Sequence, residues 1–371
     1  MVCGKYGSAS TGLTGDFVKG RRRGEVDGID VIEFDLAYAN TDGFLKRTAT
    51  FLRYAVGAVG VALRERYDLA IASTTPLTVG IPAITARWLR RKPYVFEVRD
   101  LWPELPKAMG VIKNPLALLA MSALEWLSYR NAVRCIGLAP GIVSGIAARG
   151  VPESRIRLVP NGCDLHIFGE TISPWRPASV RDDQLLAIFS GTHGQANGLD
   201  AVLDAAALLK ARKRDDIVIL LIGSGKLKPD LITRSREEGL ENILFHAPVD
   251  KKKLAELMAS SDIGLQILAN VPAFYYGTSP NKFFDYLAAG LPVLTNYPGW
   301  VAEMIARERC GVAVKPDDAE ALADALEKLA DDRTALPSMG AAATSLAQRE
   351  FDRIQLADRW VAWVTEGKRR Q

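Results

Sequence analysis

The stretch that says most about the fold is residues 278–293, which read TSPNKFFDYLAAGLPV. Ser279 is a good N-cap residue, and Pro280 suits the first position of a helix. Gly290 followed by Pro292 is typical of a helix end. The pattern therefore predicts a short helix with a well-defined N-terminus, whose free N–H groups and dipole favour an anion such as a phosphate.

Two charged side chains of this helix suggest a ligand. Lys282 lies in the first turn, where a cation opposes the helix dipole, so we expect it to serve an anionic ligand. Asp285 lies one turn further along on the same side and can accept hydrogen bonds from vicinal hydroxyls. The alternative is a capped surface helix with a Lys282–Asp285 ion pair, and these residues alone give the two interpretations equal weight.

Outward from this stretch, short β-branched runs alternate with helical patterns, which favours parallel sheets with helices on both faces. The alternation breaks at residues 166–184, which contain Gly169, Pro174 and Pro177 and read as an interdomain linker. We predict an α/β protein of two Rossmann-like domains, residues 1–165 and 185–350, and a C-terminal helix within 351–371 that packs back on the N-terminal domain. The strand-end loops of both domains are expected to face a common cleft. The predicted strands are 30–36, 69–73, 94–98, 135–138, 157–159, 185–189, 218–222, 243–245, 264–267, 293–295 and 312–314.

Composition excludes several classes of protein. The chain has 371 residues, of which 48% are apolar and 24% charged, as in ordinary globular proteins. The formal charge of +4 is too mild for a nucleic-acid binder, so nucleic acid is not an expected partner. The charge is uneven, with a net +7 over residues 1–178 and −3 over residues 179–371. We therefore expect the N-terminal half to meet any anionic surface.

Cysteine spacing and the absence of known catalytic motifs narrow the possible functions further. The four cysteines form no CxxC pair, which fits a reducing cytosol. The sequence has no HExxH motif, no cluster of His and Cys and no GxSxG elbow, so no catalytic metal is expected. Neither a signal peptide nor a membrane span is predicted.

Two loops rich in glycine follow predicted strands. Residues 189–199 read FSGTHGQANGL and open a helix, an arrangement that brings backbone N–H groups close to phosphates. His193 can donate to a phosphate, but it is equally well explained as a plain loop residue. Residues 223–226, GSGK, give a similar and weaker signal. The candidate phosphate contacts in these loops are Gly191, Thr192, His193, Gly194 and Gly223.

In the N-terminal half, residues 97–104, EVRDLWPE, end a strand in a polar cluster. Carboxylates at the carboxyl end of a strand point toward the cleft, so Asp100 and Glu104 can bind hydroxyls or act as a base. The alternative is that Asp100 pairs with Arg99 or caps the next turn.

Two helices are candidates for membrane contact. Residues 44–66 carry an apolar stripe formed by Leu45, Leu52, Val56, Val59 and Leu63, with basic residues elsewhere on the helix. A basic amphipathic helix can lie on an anionic membrane. The commoner outcome, which we favour, is that such a stripe packs on a sheet. The helix at residues 115–126 is a second candidate with the same alternative.

Taken in order, the segments 95–104, 159–164, 191–198, 222–225 and 279–293 resemble the family 4 glycosyltransferases of the GT-B fold. Within that family the chain is similar to the subgroup that includes proteins assigned as L-fucosamine (N-acetylfucosamine) transferases of bacterial O-antigen and capsule clusters. The resemblance implies a nucleotide-sugar donor, expected to be UDP-linked, in the C-terminal domain and an acceptor against the N-terminal domain. It also implies retention at the anomeric carbon and no metal or other cofactor.

By position, the resemblance places Asp285 at the donor ribose and Asp100 facing the reacting sugar. The residues it places near the diphosphate are Gly191, Thr192, His193, Gly194, Gly223, Ser279, Pro280, Asn281 and Lys282. Asp100, Lys282 and Asp285 are the candidate catalytic residues. The family's two spaced glutamates fall on Gly277 and Asp285, and the basic residues of its diphosphate loop fall on Thr192 and Asn197. Lys282 is thus the one basic residue in these two motifs that can supply the missing charge.

Family members open with an apolar strand, a Gly-rich loop and a helix, whereas Met1 begins near the end of that unit. The N-terminal domain is therefore expected to lack its first strand–helix unit. We expect a transferase that extends a saccharide or undecaprenyl-diphosphate-linked acceptor in cell-surface polysaccharide biosynthesis. It would be cytoplasmic, with peripheral contact to the inner face of the membrane. A catalytically silent homologue that binds nucleotide or a partner, and a nucleotide-sugar epimerase of the same fold, remain alternatives.

Overall fold

The computed structural model describes residues 1–6, 11–38, 42–168 and 172–366. The chain divides into two compact units, which we call the N-terminal unit (Met1–Leu138 and Ile142–Leu158) and the C-terminal unit (Ala139–Gly141 and Val159–Gln371). Residues 169–171 of the predicted linker and 367–371 of the predicted C-terminal helix lie outside the described residues. The predicted α/β class, with parallel sheets in two domains, is confirmed.

The N-terminal unit contains two sheets. A three-stranded sheet has the order β1-β3-β2, in which β3 is parallel to β1 and antiparallel to β2, and a parallel sheet has the order β4-β5-β6-β7. The strands are β1 (Val2–Tyr6), β2 (Arg21–Val26), β3 (Ile29–Tyr38), β4 (Ala70–Ser73), β5 (Tyr94–Val98), β6 (Arg134–Gly137) and β7 (Ile156–Leu158). The helices before β7 are α1 (Phe44–Arg64), α2 (Gly80–Arg90), α3 (Glu104–Ala108), α4 (Pro115–Asn131) and α5 (Pro140–Ala148).

The hairpin of β2 and β3 corrects the sequence analysis, which predicted neither β1 nor β2. Three consecutive arginines make β2 look like a solvated loop, but only alternate side chains of this strand are exposed. Asp27 and Gly28 form the turn with φ of 50° and 78°. An Asp-Gly pair with two positive φ angles is the preferred two-residue hairpin turn, so the signal was present in the sequence.

Helix α1 also departs from expectation. Ala55, Ala58 and Val61 of this helix are buried, and Ala58 and Val61 meet Ile32 and Phe34 of β3. The predicted stripe does not pack along its length, because Leu45, Leu52 and Val56 are exposed. The favoured interpretation of that stripe, packing on a sheet, is therefore wrong for the first half of the helix.

The C-terminal unit has one sheet of six parallel strands in the order β10-β9-β8-β11-β12-β13. Its strands are β8 (Leu185–Ser190), β9 (Ile217–Ile222), β10 (Ile243–His246), β11 (Ile263–Gln266), β12 (Val293–Thr295) and β13 (Gly311–Ala313). Its helices are α6 (Asp200–Ala211), α7 (Lys228–Glu237), α8 (Lys251–Ala259), α9 (Pro272–Gly277), α10 (Asn281–Ala288), α11 (Trp300–Glu308), α12 (Ala319–Asp331), α13 (Leu336–Leu346) and α14 (Arg353–Glu366).

The strand order of this sheet reverses direction between β8 and β11. From β8 the chain proceeds outward to β9 and β10, and it then returns to β11 on the other side of β8. Every residue of β8, β9 and β11 is buried, as expected for central strands covered on both faces. Ligands of open parallel sheets bind beyond the carboxyl ends of the strands at such a reversal. The loops after β8 and β11 are therefore where a site is expected.

Candidate functional site

Helix α10 follows β11 and α9 and carries the two charged residues singled out in the sequence. The helix begins at Asn281, with Pro280 in the preceding cap position. Ser279 does not cap it, which corrects the sequence-based prediction. Instead, the Ser279 hydroxyl accepts a hydrogen bond from the backbone N–H of Asn161 (2.9 Å), and the Ser279 carbonyl accepts one from Asn161 Nδ2 (2.6 Å). The turn at residues 159–164 thus fixes the approach to the helix.

Lys282 extends from α10 to the loop after β8. Its Nζ donates to Asn197 Oδ1 at 2.6 Å and lies 4.3 Å from the centre of the Phe189 ring. Within the described ranges no carboxylate pairs with this ammonium group, so the predicted alternative of a Lys282–Asp285 ion pair is not observed. Burial lowers the pKa of Lys282 to about 7. A cation enclosed by neutral groups lacks a counter-ion, which an anionic ligand would supply.

Asn197 is a site residue that sequence reasoning noticed only as a departure from the family pattern. Its Nδ2 donates to the Thr192 carbonyl at 2.6 Å, while its Oδ1 accepts from Lys282. The amide therefore connects the glycine-rich loop to α10. A basic side chain at this position would have no oxygen to accept the hydrogen bond from Lys282.

The two glycine-rich loops are joined to each other by backbone hydrogen bonds. Gly191 N–H donates to the Ile222 carbonyl and His193 N–H to the Ser224 carbonyl, both at 2.9 Å. A Cβ on Gly223 would lie 1.8 Å from the Gly191 carbonyl oxygen, so this glycine permits close packing of the loops. Those two N–H groups are consequently unavailable to a phosphate, in contrast to the sequence-based expectation.

The N–H groups of Thr192 and Gly194, in the glycine-rich loop after β8, lie next to those two bonded groups. Thr192 is exposed and Gly194 is partly exposed. Among the described residues, no acceptor is bonded to the N–H group of either residue. They and the partly buried Lys282 ammonium are donors of this loop–helix pair that are available to an anion.

His193 lies inside the C-terminal unit. Its side chain is 0% exposed and packs between Phe189 and Phe245, with ring centroids 6.0 and 6.3 Å away. Burial, reinforced by the positive charge of Lys228, lowers the pKa of His193 to about 4. The ring is therefore neutral at pH 7, and because both of its nitrogens are buried it does not donate to a phosphate, as the sequence had suggested it could.

Asp285 lies one turn beyond Lys282 and is nearly buried. Burial raises the pKa of this carboxyl, and among the described residues its ion-pair partner is Lys251, whose Nζ lies 3.5 Å from Oδ1. Lys251 also pairs with Asp164, which in turn pairs with Arg353 of α14. Asp285 is thus held by a charge network that the sequence spacing did not indicate.

Asp100 lies in the N-terminal unit, just after β5. Its Oδ2 accepts a hydrogen bond from the Thr75 hydroxyl at 3.1 Å, and burial raises the pKa of the carboxyl. Thr75 lines a groove of about 310 Å³ between the ends of β1 and β4. The other residues lining this groove are Val2, Cys3, Gly4, Lys5, Leu36, Thr50, Phe51, Tyr54, Ser73, Pro76 and Val79. Hydroxyls and aromatic rings together suit a sugar ring. Glu104, the other candidate carboxylate, instead pairs with Arg149 at 3.0 Å.

Two features of the described ranges bear on metal binding and on membranes. No group of three or more His, Cys, Asp or Glu side chains there could hold a metal ion. No helix in the same ranges combines the length and hydropathy needed to cross a bilayer.

The sequence matches two family models. Residues 173–346 match glycosyl transferases group 1, and residues 7–162 match the glycosyl transferase 4-like domain. An uncharacterized glycosyltransferase of Methanocaldococcus jannaschii is 23% identical over an alignment of 252 residues that covers 65% of this chain and 61% of that protein. The matches span about half to three fifths of the length of the curated relatives.

Solved structures show the same fold. HepE of Anabaena, crystallised with UDP-glucose, superposes with a TM-score of 0.67 at 16% identity, covering 90% of this chain and 86% of that one. WaaG, a glycosyltransferase involved in lipopolysaccharide biosynthesis, gives a TM-score of 0.63 at 18% identity, with 90% and 86% coverage.

Proposed function

Because the chain is built from a glycosyl transferase 4-like domain and a domain of the group 1 glycosyl transferases, we propose that it transfers a sugar from a UDP-linked donor to a saccharide or lipid-linked acceptor. The observation that carries this proposal is the Lys282 ammonium, which has no carboxylate partner among the described residues and lies where the sheet reverses direction. The UDP-glucose complex of HepE supports the choice of nucleotide, since the two folds correspond.

In this proposal Lys282 binds the donor diphosphate together with the N–H groups of Thr192 and Gly194. Asn281 is exposed at the start of α10. The positive end of the helix dipole there adds to the attraction for the diphosphate. These groups would stabilise the negative charge that develops on the departing diphosphate, which requires no metal ion. Asp285 accepts hydrogen bonds from the ribose hydroxyls, and transfer proceeds with retention at the anomeric carbon.

We place the acceptor at the groove of the N-terminal unit. Asp100, held by Thr75, would accept a hydrogen bond from an acceptor or sugar hydroxyl there. The stated role of WaaG in lipopolysaccharide biosynthesis and the resemblance to N-acetylfucosamine transferases support a cell-surface saccharide as the product. The excess of positive charge in the N-terminal half fits a lipid-diphosphate acceptor at the cytoplasmic face of a membrane.

The first test is calorimetric titration with UDP and, in parallel, GDP. Asp285→Asn removes the charge but not the volume, and it should lower UDP affinity about tenfold, equivalent to about 1.4 kcal/mol for lost hydrogen bonds to the ribose. The matched control is Glu237→Gln, which removes an exposed carboxylate from α7 of the same unit. Equal UDP affinity in the Asp285→Asn and control variants would exclude the ribose role.

Asp100→Asn should leave UDP affinity unchanged and lower kcat/KM for sugar transfer about tenfold, since one charged hydrogen bond to a hydroxyl is lost. Release of UDP from UDP-sugars, measured with a total membrane-lipid extract as acceptor, provides the rate. Glu153→Gln is the control, because it removes an exposed carboxylate from the same unit. Binding of UDP without turnover in the wild-type chain would favour the silent homologue instead.

A further inference from the structure

Helix α8 of the C-terminal unit begins with three consecutive lysines, at residues 251–253. Cations in the first turn of a helix oppose its dipole, so their positions need an explanation. Lys253 pairs with Glu256 of the same helix at 2.9 Å, and Lys252 is exposed to solvent. Lys251 differs from both, because its contacts are with residues that lie far away in the sequence.

The Lys251 ammonium lies between two carboxylates. Its Nζ donates to Asp164 Oδ2 and lies 3.5 Å from Asp285 Oδ1. The other carboxylate oxygen of Asp164 accepts from Arg353 Nε, so Asp164 has two close cations while Asp285 has one that is more distant. The side chains of Asp164 and Asp285 are 16% and 12% exposed, and charges so placed are screened only weakly by salt.

Few other charges face Asp285. Of the elements packed on α10, the helix α13 and the strands β11 and β12 contain no Asp, Glu, Lys or Arg. The segment between α13 and α14 contains Arg349 and Glu350, which pair with each other at 3.0 Å. Burial raises the pKa of the nearby Cys163 thiol to about 12, so this group is neutral at pH 7. Among the described residues, the ion-pair partner of Asp285 is therefore Lys251 alone.

We propose that Lys251 is a positioning residue of the donor site, which keeps the Asp285 carboxylate ionised and leaves its second oxygen to the ribose hydroxyls. Burial raises the pKa of Asp285, the positive charge of Lys251 opposes that rise, and the negative charge of Asp164 adds to it. The inference rests on the proposed role of Asp285 in donor binding and names the residue on which that role depends.

The geometry explains why Lys251 supports Asp285 without blocking it. The hydrogen bond to Asp164 holds the ammonium group at 3.5 Å from Oδ1 of Asp285, and within the described ranges no side chain donates to Oδ2. A buried carboxylate without a counter-ion takes up a proton instead of remaining charged. A protonated carboxyl has fewer acceptor positions, so it would bind the two donors of a ribose diol less well.

The first test follows the ionisation of Asp285 in the full chain without nucleotide, by NMR of aspartate labelled with carbon-13 at the side-chain carboxyl. The Asp285 signal is the one that disappears in Asp285→Asn. Lys251→Met keeps most of the aliphatic stem, and it should raise the midpoint of the Asp285 titration by about one pH unit. Asp164→Asn should lower that midpoint, because it removes a neighbouring negative charge. General loosening of the structure would not produce shifts in opposite directions.

The second test measures UDP-glucose affinity by calorimetric titration at two pH values. As the pH falls through the pKa of Asp285 its ionised form is lost, so affinity should begin to fall at a higher pH in Lys251→Met than in the wild-type chain. Near pH 5.5 we expect Lys251→Met to bind up to about tenfold more weakly, with a smaller difference at pH 7. In the Asp285→Asn background, Lys251→Met should have no further effect.

The matched control is Lys252→Met, which removes an exposed positive charge from the same turn of α8 and should behave as the wild-type chain does. An unchanged Asp285 midpoint in Lys251→Met would overturn the proposal. So would an equal loss of affinity on adding Lys251→Met to Asp285→Asn, because Lys251 would then act on the nucleotide itself.

If the wild-type chain does not bind UDP-glucose while the Asp285 midpoint shifts as expected, the donor assignment is wrong and the effect of Lys251 on Asp285 stands.

Discussion

Replacing Lys282 by alanine should lower the affinity for UDP-glucose roughly 10- to 150-fold. A hydrogen bond to a charged group contributes about 1.5–3 kcal/mol, and each 1.4 kcal/mol is about tenfold in affinity. The site offers no obvious replacement, because the neighbouring loop position is Asn197 and the nearby His193 is buried and neutral at pH 7. Calorimetric titration with UDP-glucose measures the change directly.

Two further variants define the origin of the Lys282 effect. Lys328→Ala removes one exposed positive charge from α12 of the same unit, so it reports any general effect of net charge and should bind normally. Asn197→Ala removes the acceptor that holds the ammonium, and it should weaken binding less than Lys282→Ala does. Unchanged affinity in Lys282→Ala would remove the main support for the donor site.

The affinity for UDP-glucose should also depend on pH. Burial lowers the pKa of Lys282 to about 7 in the free protein, so the ammonium form that attracts the diphosphate is lost as the pH rises through that value. Binding should therefore be tight near pH 6 and weaken by up to about tenfold per pH unit above 7, with proton uptake on binding. UDP-glucose is the suitable probe because its diphosphate is a diester without a titrating proton in this range. The pH dependence should disappear in Lys282→Ala.

Much of the C-terminal unit could be predicted from local sequence. A helix-ending glycine and a cation in the first turn located α10 and singled out Lys282, because these signals lie within a few residues of one another. The strands of the central sheet were similarly evident as apolar runs. Sequence patterns predict a helix or strand correctly where the interactions that form it join residues close in sequence.

The rest of the site depends on contacts between distant residues. Ser279 has a good capping side chain, but Asn161 bonds to it across 118 positions of sequence, so it does not cap the helix. In the sequence His193 resembles an available loop donor, but in the structure Phe189 and Phe245 enclose it. The face on which α1 packs likewise depends on distant residues, since Ala58 and Val61 meet Ile32 and Phe34 of β3.

Gly223→Ala should have the second large effect, a loss of stability, because Gly223 lies where the two glycine-rich loops are joined. Its φ of 142° lies in a region that side chains rarely adopt, and the added methyl would lie 1.8 Å from the Gly191 carbonyl oxygen. The loops must separate, which weakens the two hydrogen bonds that join them, Gly191–Ile222 and His193–Ser224. Backbone strain of about 1–3 kcal/mol and hydrogen bonds of about 1 kcal/mol each add to a destabilisation of roughly 3–5 kcal/mol.

For a unit of this size, that loss should lower the midpoint of thermal unfolding by roughly 10 °C, measured by calorimetry. UDP-glucose affinity should fall as well, because separation of the loops displaces the Thr192 and Gly194 N–H groups. Gly277→Ala is the control for stability, since a Cβ at this helical position meets nothing within 4 Å and alanine favours a helix. If Gly223→Ala unfolded at the wild-type temperature and bound UDP-glucose normally, the loops would not need their close contact. The glycine would then have to be explained by the approach of a ligand, as the sequence alone had suggested.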